Sequence, residues 1–161
     1  MEFEYLIIFL PLVGAIISGF FGKFLGSRNS EILTSFLVSI SSIFSFLIFY
    51  KVFNDGYTNN LDIFTWINSG TFNVNWSIKI DALSSVMLVV VTLVSSIVHV
   101  YSIGYMSHDP HKQRFMSYLS LFTFSMLMLV TSDNFLQLFF GWEGVGLCSY
   151  FLIGFWFKKE N

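Results

Sequence analysis

Two titratable side chains lie inside stretches of sequence that are otherwise apolar over the length of a membrane-spanning helix. Glu143 stands near the middle of one stretch, and His99 lies toward the end of another. An ionised group at the bilayer centre costs at least about 2.5–3.5 kcal/mol, so such residues mark functional sites by default. A carboxyl group there becomes neutral or binds a cation. We expect Glu143 to carry protons in a relay; the alternative is a neutral acid that links helices by hydrogen bonds.

The surroundings of these two residues leave several questions open. The apolar stretches before Glu143 hold no Lys or Arg at its depth, so its cation partner is either missing or on another chain. The other nine acids fit loops or helix ends. Gly144 and Cys148 form a small-residue face that serves close packing or hydration of the carboxylate. His99 can relay protons because histidine titrates near neutral pH, or it can be a structural hydrogen bonder.

Other kinds of chemistry have little support in the sequence. The single cysteine excludes a cysteine-cluster metal site, and His108 and His111 have no evident third ligand, so we expect no metal. The net charge is −2 and the basic residues are scattered, so the sequence does not show the clustered basic patch that is typical of nucleic-acid binding. Because the sequence shows no nucleophile–base pair and no phosphate loop, we expect no bond-making chemistry in this chain alone.

The elements that must position Glu143 and His99 are membrane helices. Only 11% of the 161 residues are charged, and the mean hydropathy is +0.70, whereas a soluble domain carries about 25% charged residues. Apolar runs near 20 residues, the length needed to span the bilayer, predict five helices over 5–25, 32–53, 82–105, 115–130 and 135–157. The fourth is short. The runs do not alternate as barrel strands do, so the fold class is an all-α membrane protein.

The basic residues of the loops predict the orientation of these helices. Six of the eight Lys and Arg fall on the side where odd-numbered spans end, and the other side receives Lys51 and Lys79. The positive-inside rule then places the N-terminus outside and the C-terminus inside. The six residues are Lys23, Arg28, Lys112, Arg114, Lys158 and Lys159.

One long outer loop, residues 54–80, carries β-strand signals. Residues 72–80 alternate strictly between apolar and polar side chains, a pattern typical of a half-buried strand. A β-rich run at 61–67 and a turn at 68–70 complete a predicted hairpin. Asp81 directly precedes the third span and can cap its N-terminus.

Two motifs resemble a known family. SIKIDALS at 77–84, with YM at 105–106, resembles the antiporter-like membrane subunits of respiratory complex I. DNFL at 133–136 and GWEGVGLCSYFLIGF at 141–155 resemble subunit 5 of that complex more specifically. The resemblance implies that Glu143 pairs with a lysine on a later helix to move protons through a half-channel. It also implies that flavin, iron–sulfur clusters and quinone bind other subunits, so we expect no cofactor in this chain.

The resemblance also implies a domain division. Family members are several times longer, with two five-helix repeats after three leading helices. Residues 1–105 would be the leading helices with the hairpin, and residues 106–161 the first two helices of the first repeat, an incomplete antiporter-like fold. We expect the rest of the subunit on a separate chain; the alternative is a truncated gene product. Other complex I membrane subunits and membrane lipids are the remaining expected partners.

The composition gives a hint of location, and the function has alternatives. Abundant Phe, Ile and Asn suggest an AT-rich organelle genome, which favours the mitochondrial inner membrane; the alternative is a bacterial plasma membrane. Besides a complex I subunit, the sequence allows a subunit of a multi-subunit sodium/proton antiporter, or a membrane scaffold that transports nothing.

Overall fold

The computed structural model describes residues 3–156, which form five helices and one β-hairpin. The predicted all-α architecture with a small hairpin is confirmed. Phe157, Lys158 and Lys159, which entered the predictions above, lie outside the described residues. The elements are α1 (Phe3–Leu25), α2 (Ser27–Asp55), β1 (Asn59–Ser69), β2 (Phe72–Ile80), α3 (Ala82–Tyr105), α4 (Lys112–Val130) and α5 (Phe135–Ile153).

Four of these helices, α1, α2, α3 and α5, are long and apolar enough to cross a membrane by length and composition. The predicted fourth span, α4, is not among them. Its first turn carries Lys112 and Arg114, and serine and threonine side chains interrupt its apolar surface. Its place in the fold explains this composition, because α4 packs against each of the other four helices. A helix surrounded by protein needs less apolar surface than one facing lipid.

Hydroxyl groups join α1 to its neighbours. Ser18 Oγ donates to the carbonyl of Gln113 at 2.9 Å, and Ser117 Oγ donates to that of Ala15 at 2.7 Å. The later residue of α1 contacts the earlier residue of α4, so the two helices run antiparallel. Ser41 of α2 donates to the carbonyl of Ile7. Such small hydroxyl residues allow membrane helices to approach closely.

The hairpin covers one end of the bundle. Its strands pair in antiparallel register from Asn59 opposite Ile80 to Ser69 opposite Phe72. The two-residue turn is Gly70 and Thr71, so the predicted turn at 68–70 was placed too early. Gly70 has φ +61°, a conformation that glycine adopts without steric cost. Along β2, buried apolar side chains join the hydrophobic core with buried residues of the helices: Ile78, Ile80, Ile7, Ile8 and Leu127.

The opposite end of the bundle gathers basic side chains. Trp156 Nε1 donates to Asp109 Oδ2 at 2.7 Å, which brings the end of α5 to the α3–α4 loop. Lys112 pairs with Glu31 at 3.6 Å, which brings the start of α4 to the start of α2. The described basic residues that were assigned to one side of the membrane therefore share one end of the molecule. Which membrane face this end occupies stays a prediction.

Candidate functional site

The start of α5 is fixed by two polar side chains. Asn134 is its N-cap: Oδ1 accepts from the backbone N–H of Gln137 at 2.9 Å, and Nδ2 donates to the carbonyl of Asn75 at 2.7 Å. The fully buried Gln137 accepts from the backbone N–H of Ser77 at 3.0 Å and donates to its carbonyl at 2.7 Å. The backbone of β2 at Asn75 and Ser77 therefore holds the first turn of α5.

One face of α5 packs tightly on α4. A Cβ placed on Gly141 would lie 2.9 Å from the backbone Cα and N of Leu129, and one on Gly144 would lie 2.9 Å from Ser125 Oγ. Cys148 is buried on the same face. Of the two roles left open for the small residues Gly144 and Cys148, the structure shows close packing.

Glu143 lies on the opposite, open face of α5. Its side chain is exposed, and it makes no hydrogen bond or ion pair within residues 3–156. It is the ninth of 19 helical residues, about 12 Å along the axis at about 1.5 Å per residue. Gly146, one turn further on, has nothing within 4 Å of its Cβ position. Large apolar side chains continue this face toward both helix ends: Phe135, Phe139, Tyr150 and Ile153.

His99 lies in a buried polar network between α3 and α4. Its Nδ1 is 2.8 Å from the carbonyl oxygen of Ser95, which can only accept, so Nδ1 carries the proton. Its Nε2 lies 3.0 Å from Ser120 Oγ, a second hydrogen bond of the ring. Ser95 Oγ also contacts Thr123 Oγ1. Both ring nitrogens of His99 are therefore hydrogen-bonded. This arrangement serves helix packing, and it also connects hydroxyl groups of α3 and α4.

The structure buries two carboxylates that the sequence placed in a loop or at a helix end. Glu31 is 3% exposed, because α2 begins at Ser27 rather than at residue 32. The N-cap of α2 is Gly26, with φ +82°, and glycine is among the residues that occur at helix N-caps. The other buried acid is Glu4, which is 2% exposed in the first turn of α1.

Glu4 binds the segment between α2 and the hairpin. Tyr57 donates to Glu4 Oε1 at 2.7 Å, and Asn59 Nδ2 donates to the Tyr57 hydroxyl at 2.8 Å. The hydrogen bond to the Glu4 carboxylate raises the pKa of the Tyr57 phenol above 10.0, and burial of the ring adds to this increase. The predicted cap of α3 is confirmed nearby, since Asp81 accepts from Ser84 N–H at 2.8 Å.

Comparisons with protein families match two segments of the chain. The family described as NADH-ubiquinone oxidoreductase (complex I), chain 5 N-terminus, matches residues 66–116. The family described as the transmembrane region of NADH:quinone oxidoreductase and the Mrp antiporter matches residues 132–161. The first match covers the end of β1, all of β2 and α3, and the start of α4, and the second covers all of α5.

Similar proteins in plants, bacteria and oomycetes carry related names. NADH-ubiquinone oxidoreductase chain 5 of Arabidopsis thaliana is 59% identical over 96% of this chain. NADH-quinone oxidoreductase subunit L of Rickettsia conorii is 54% identical over 97%, and chain 5 of Phytophthora infestans is 53% identical over 95%. The aligned region is 23%, 24% and 23% of those proteins, respectively. The chain thus spans about a quarter of the length of the curated relatives it matches.

Proposed function

Since the chain belongs to the chain 5 family of respiratory complex I and corresponds to its N-terminal portion, we propose that it takes part in proton translocation by that complex. Glu143 is the residue of this chain that carries the proton. NADH oxidation and ubiquinone reduction take place in other subunits, which hold the flavin, the iron–sulfur clusters and the quinone. This chain by itself catalyses no redox step.

The position of Glu143 is the observation that carries the proposal. The residue lies at the middle of a membrane helix, on a face that no described residue covers. Because an isolated carboxylate in lipid is costly, a cationic or hydrogen-bonding partner from outside residues 3–156 must lie against this face when the complex is assembled. A lysine that approaches the carboxylate would favour its charged form, and a lysine that withdraws would favour its neutral form. Such a change in separation drives proton uptake and release.

His99 takes a secondary place in the proposal. Its contacts with Ser95 and Ser120 allow a proton to pass between α3 and α4 through hydroxyl groups, since serine can both donate and accept. The same contacts fit a purely structural histidine. The two roles of His99 differ in the effect of replacing it by glutamine, a neutral amide that preserves the packing. Proton movement should continue if His99 is structural and fall if it relays protons.

The test replaces each group by its uncharged counterpart in the intact complex. In Glu143→Gln we expect normal assembly and NADH oxidation in detergent, but fewer protons moved per NADH in vesicles, because glutamine cannot exchange a proton. His99→Gln measured in the same assay lowers the ratio only if His99 relays protons. Asp62→Asn is the matched control, because it makes the same acid-to-amide change at an exposed hairpin position. Full proton pumping in assembled Glu143→Gln complexes would rule out the proton-carrying role.

A sodium/proton antiporter is the second candidate, because the family that matches residues 132–161 is described by both assemblies. The two differ in what accompanies the chain. We expect it to purify with a flavin-containing assembly that oxidises NADH. Purification with a small assembly without flavin that exchanges Na⁺ for H⁺ would support the antiporter instead.

The proposed location is the mitochondrial inner membrane, with several helices crossing it. Relatives occur both as plant and oomycete chain 5 and as bacterial subunit L, so a bacterial plasma membrane is the alternative. The proposed partners are the other membrane subunits of complex I, the remainder of subunit 5, whether on this polypeptide or a separate one, and surrounding lipids. Fractionation followed by mass spectrometry of the purified complex tests the location and the partners together.

A further inference from the structure

A groove between α1 and α4 lies at the basic end of the bundle. It encloses a cavity of about 520 Å³, within the range of about 300–1,000 Å³ that is typical of small-molecule sites. Lys23, His111 and Arg114 line its end toward the helix termini, and Ile16, Phe20 and Leu121 line the part toward the helix middles. None of these residues belongs to the site around Glu143.

Among residues 3–156, no acid neutralises the cations of this groove. Lys23 makes no ion pair within the described part of the chain, and the guanidinium of Arg114 stacks on the ring of Phe155 at 4.8 Å from its centroid. The acids of this end have other contacts: Glu31 pairs with Lys112, and Asp109 binds Trp156 and the backbone N–H of His111. As far as the described residues show, the groove therefore presents positive charge that no acid compensates.

The deeper part of the groove presents apolar surface. Its polar groups Ser18 and Ser117 donate to carbonyls across the α1–α4 contact, so their donors are already used. Phe20 is 80% exposed and Ile16 is 43% exposed. Polarity thus changes along the groove from cationic at the helix ends to apolar toward the membrane centre, and a phospholipid changes polarity in the same order.

We propose that this groove binds an anionic phospholipid. The phosphate lies between the side chains of Lys23 and Arg114, and an acyl chain follows Ile16, Phe20 and Leu121 toward the middle of the membrane. A zwitterionic lipid fits the apolar part equally well, but its positive headgroup gains less from the two cations. Free phosphate has the charge without the acyl chain and cannot use the apolar part.

The test measures lipid binding to the purified complex that contains this chain. Delipidated complex in dodecyl maltoside is titrated with phosphatidylglycerol, with phosphatidylcholine and with inorganic phosphate, and native mass spectrometry counts the bound molecules. We expect one additional phosphatidylglycerol site in the unmodified complex. Each cation near a membrane surface contributes about fivefold in affinity, so Lys23→Gln with Arg114→Gln should weaken this site about thirtyfold. Lys23→Arg with Arg114→Lys should keep it.

Two further variants make the result specific. Arg28→Gln removes a cation that is exposed at the same end but does not line the groove, and it should leave binding unchanged. Ile16→Trp fills the apolar part of the groove without changing its charge and should also abolish lipid binding there. This variant still tests the proposal if the double variant fails to assemble. The proposal is overturned if Arg28→Gln loses as much binding as the double variant, or if binding is unchanged in Ile16→Trp or in the assembled double variant. It is also overturned if phosphatidylcholine binds equally well, or if phosphate displaces the lipid.

Discussion

Adding one methyl group at Gly141 should separate α5 from α4, whereas adding it at Gly146 should not. The Cβ introduced by Gly141→Ala would lie 2.9 Å from two backbone atoms of Leu129, and ordinary carbon contacts lie at about 3.5–4.0 Å. Backbone cannot rotate away as a side chain can, so the helices must part by roughly 0.5–1 Å. A gap of that size forfeits about a quarter to a half of each dispersion contact that it opens.

The expected cost of Gly141→Ala follows from this displacement. Overpacking a well-packed contact typically costs about 1–3 kcal/mol, and the neighbouring Gly144–Ser125 approach loosens with it. We therefore expect a loss of about 2 kcal/mol in the free energy of unfolding, or roughly thirtyfold in the folded-to-unfolded ratio. Gly146→Ala adds its methyl group to open space and replaces a poor helix former, so it should be neutral or stabilising by up to about 1 kcal/mol.

The assay is equilibrium unfolding of the chain in mixed micelles with increasing dodecyl sulfate, followed by far-ultraviolet circular dichroism. The two variants make the same chemical change five residues apart on one helix, on either side of Glu143, so helix propensity and hydrophobicity are matched. The reasoning fails if Gly141→Ala is as stable as the unmodified chain, or if Gly146→Ala loses as much. Under the proposed function, Gly141→Ala should also lower the protons moved per NADH in the assembled complex, because it displaces the helix that carries Glu143.

Two further predictions concern the end of the bundle that carries the hairpin. Gln137→Leu leaves the backbone N–H and carbonyl of Ser77 buried without partners, at a cost of about 1–3 kcal/mol each. Proteolysis within the hairpin should therefore be faster in Gln137→Leu, and less affected in Gln137→Glu, which keeps the acceptor. Equal proteolysis rates in Gln137→Leu and the unmodified chain would contradict this prediction. The raised pKa of Tyr57 means that its stabilising contribution is complete below about pH 10 and is lost as the pH rises through the raised value. Absorbance at 295 nm should show a late-titrating tyrosine that disappears in Tyr57→Phe and shifts toward pH 10 in Glu4→Gln, whereas an unchanged titration in both variants would refute the assigned contact.

Local sequence patterns predicted the parts of the fold that local physics determines. The helices follow from apolar runs of membrane length, and the cap at Asp81 follows from a side chain adjacent to its own helix. The strict alternation along 72–80 gave β2 with its bounds. The turn was misplaced because asparagine and serine at 68–69 are turn formers by composition, while cross-strand pairing extends β1 through Ser69.

The site depends on contacts between residues far apart in sequence, and those could not be predicted. Gln137 looked like an ordinary polar residue of a helix start, and its role emerges only when Ser77, 60 positions earlier, is brought beside it. Glu31 looked like a loop residue, and its burial requires both an early helix start and Lys112 from α4. Periodicity reports which face of an element is apolar, but it does not report which other element will cover that face.

The arrangement around α5 connects the hairpin to the position of Glu143. Phe140, three residues before the carboxylate, packs against Trp76 of β2 with ring centroids 4.9 Å apart, and Gln137 binds the same strand. Gly141 and Gly144 fix the opposite side of the helix against α4. With both constraints on the first half of α5, the carboxylate itself projects from a rigid support into an open face. The proposed role of Glu143 makes proton uptake and release depend on the distance between its carboxylate and a cation. Such a role requires that one of the two groups be held still, and the contacts of α5 would hold Glu143.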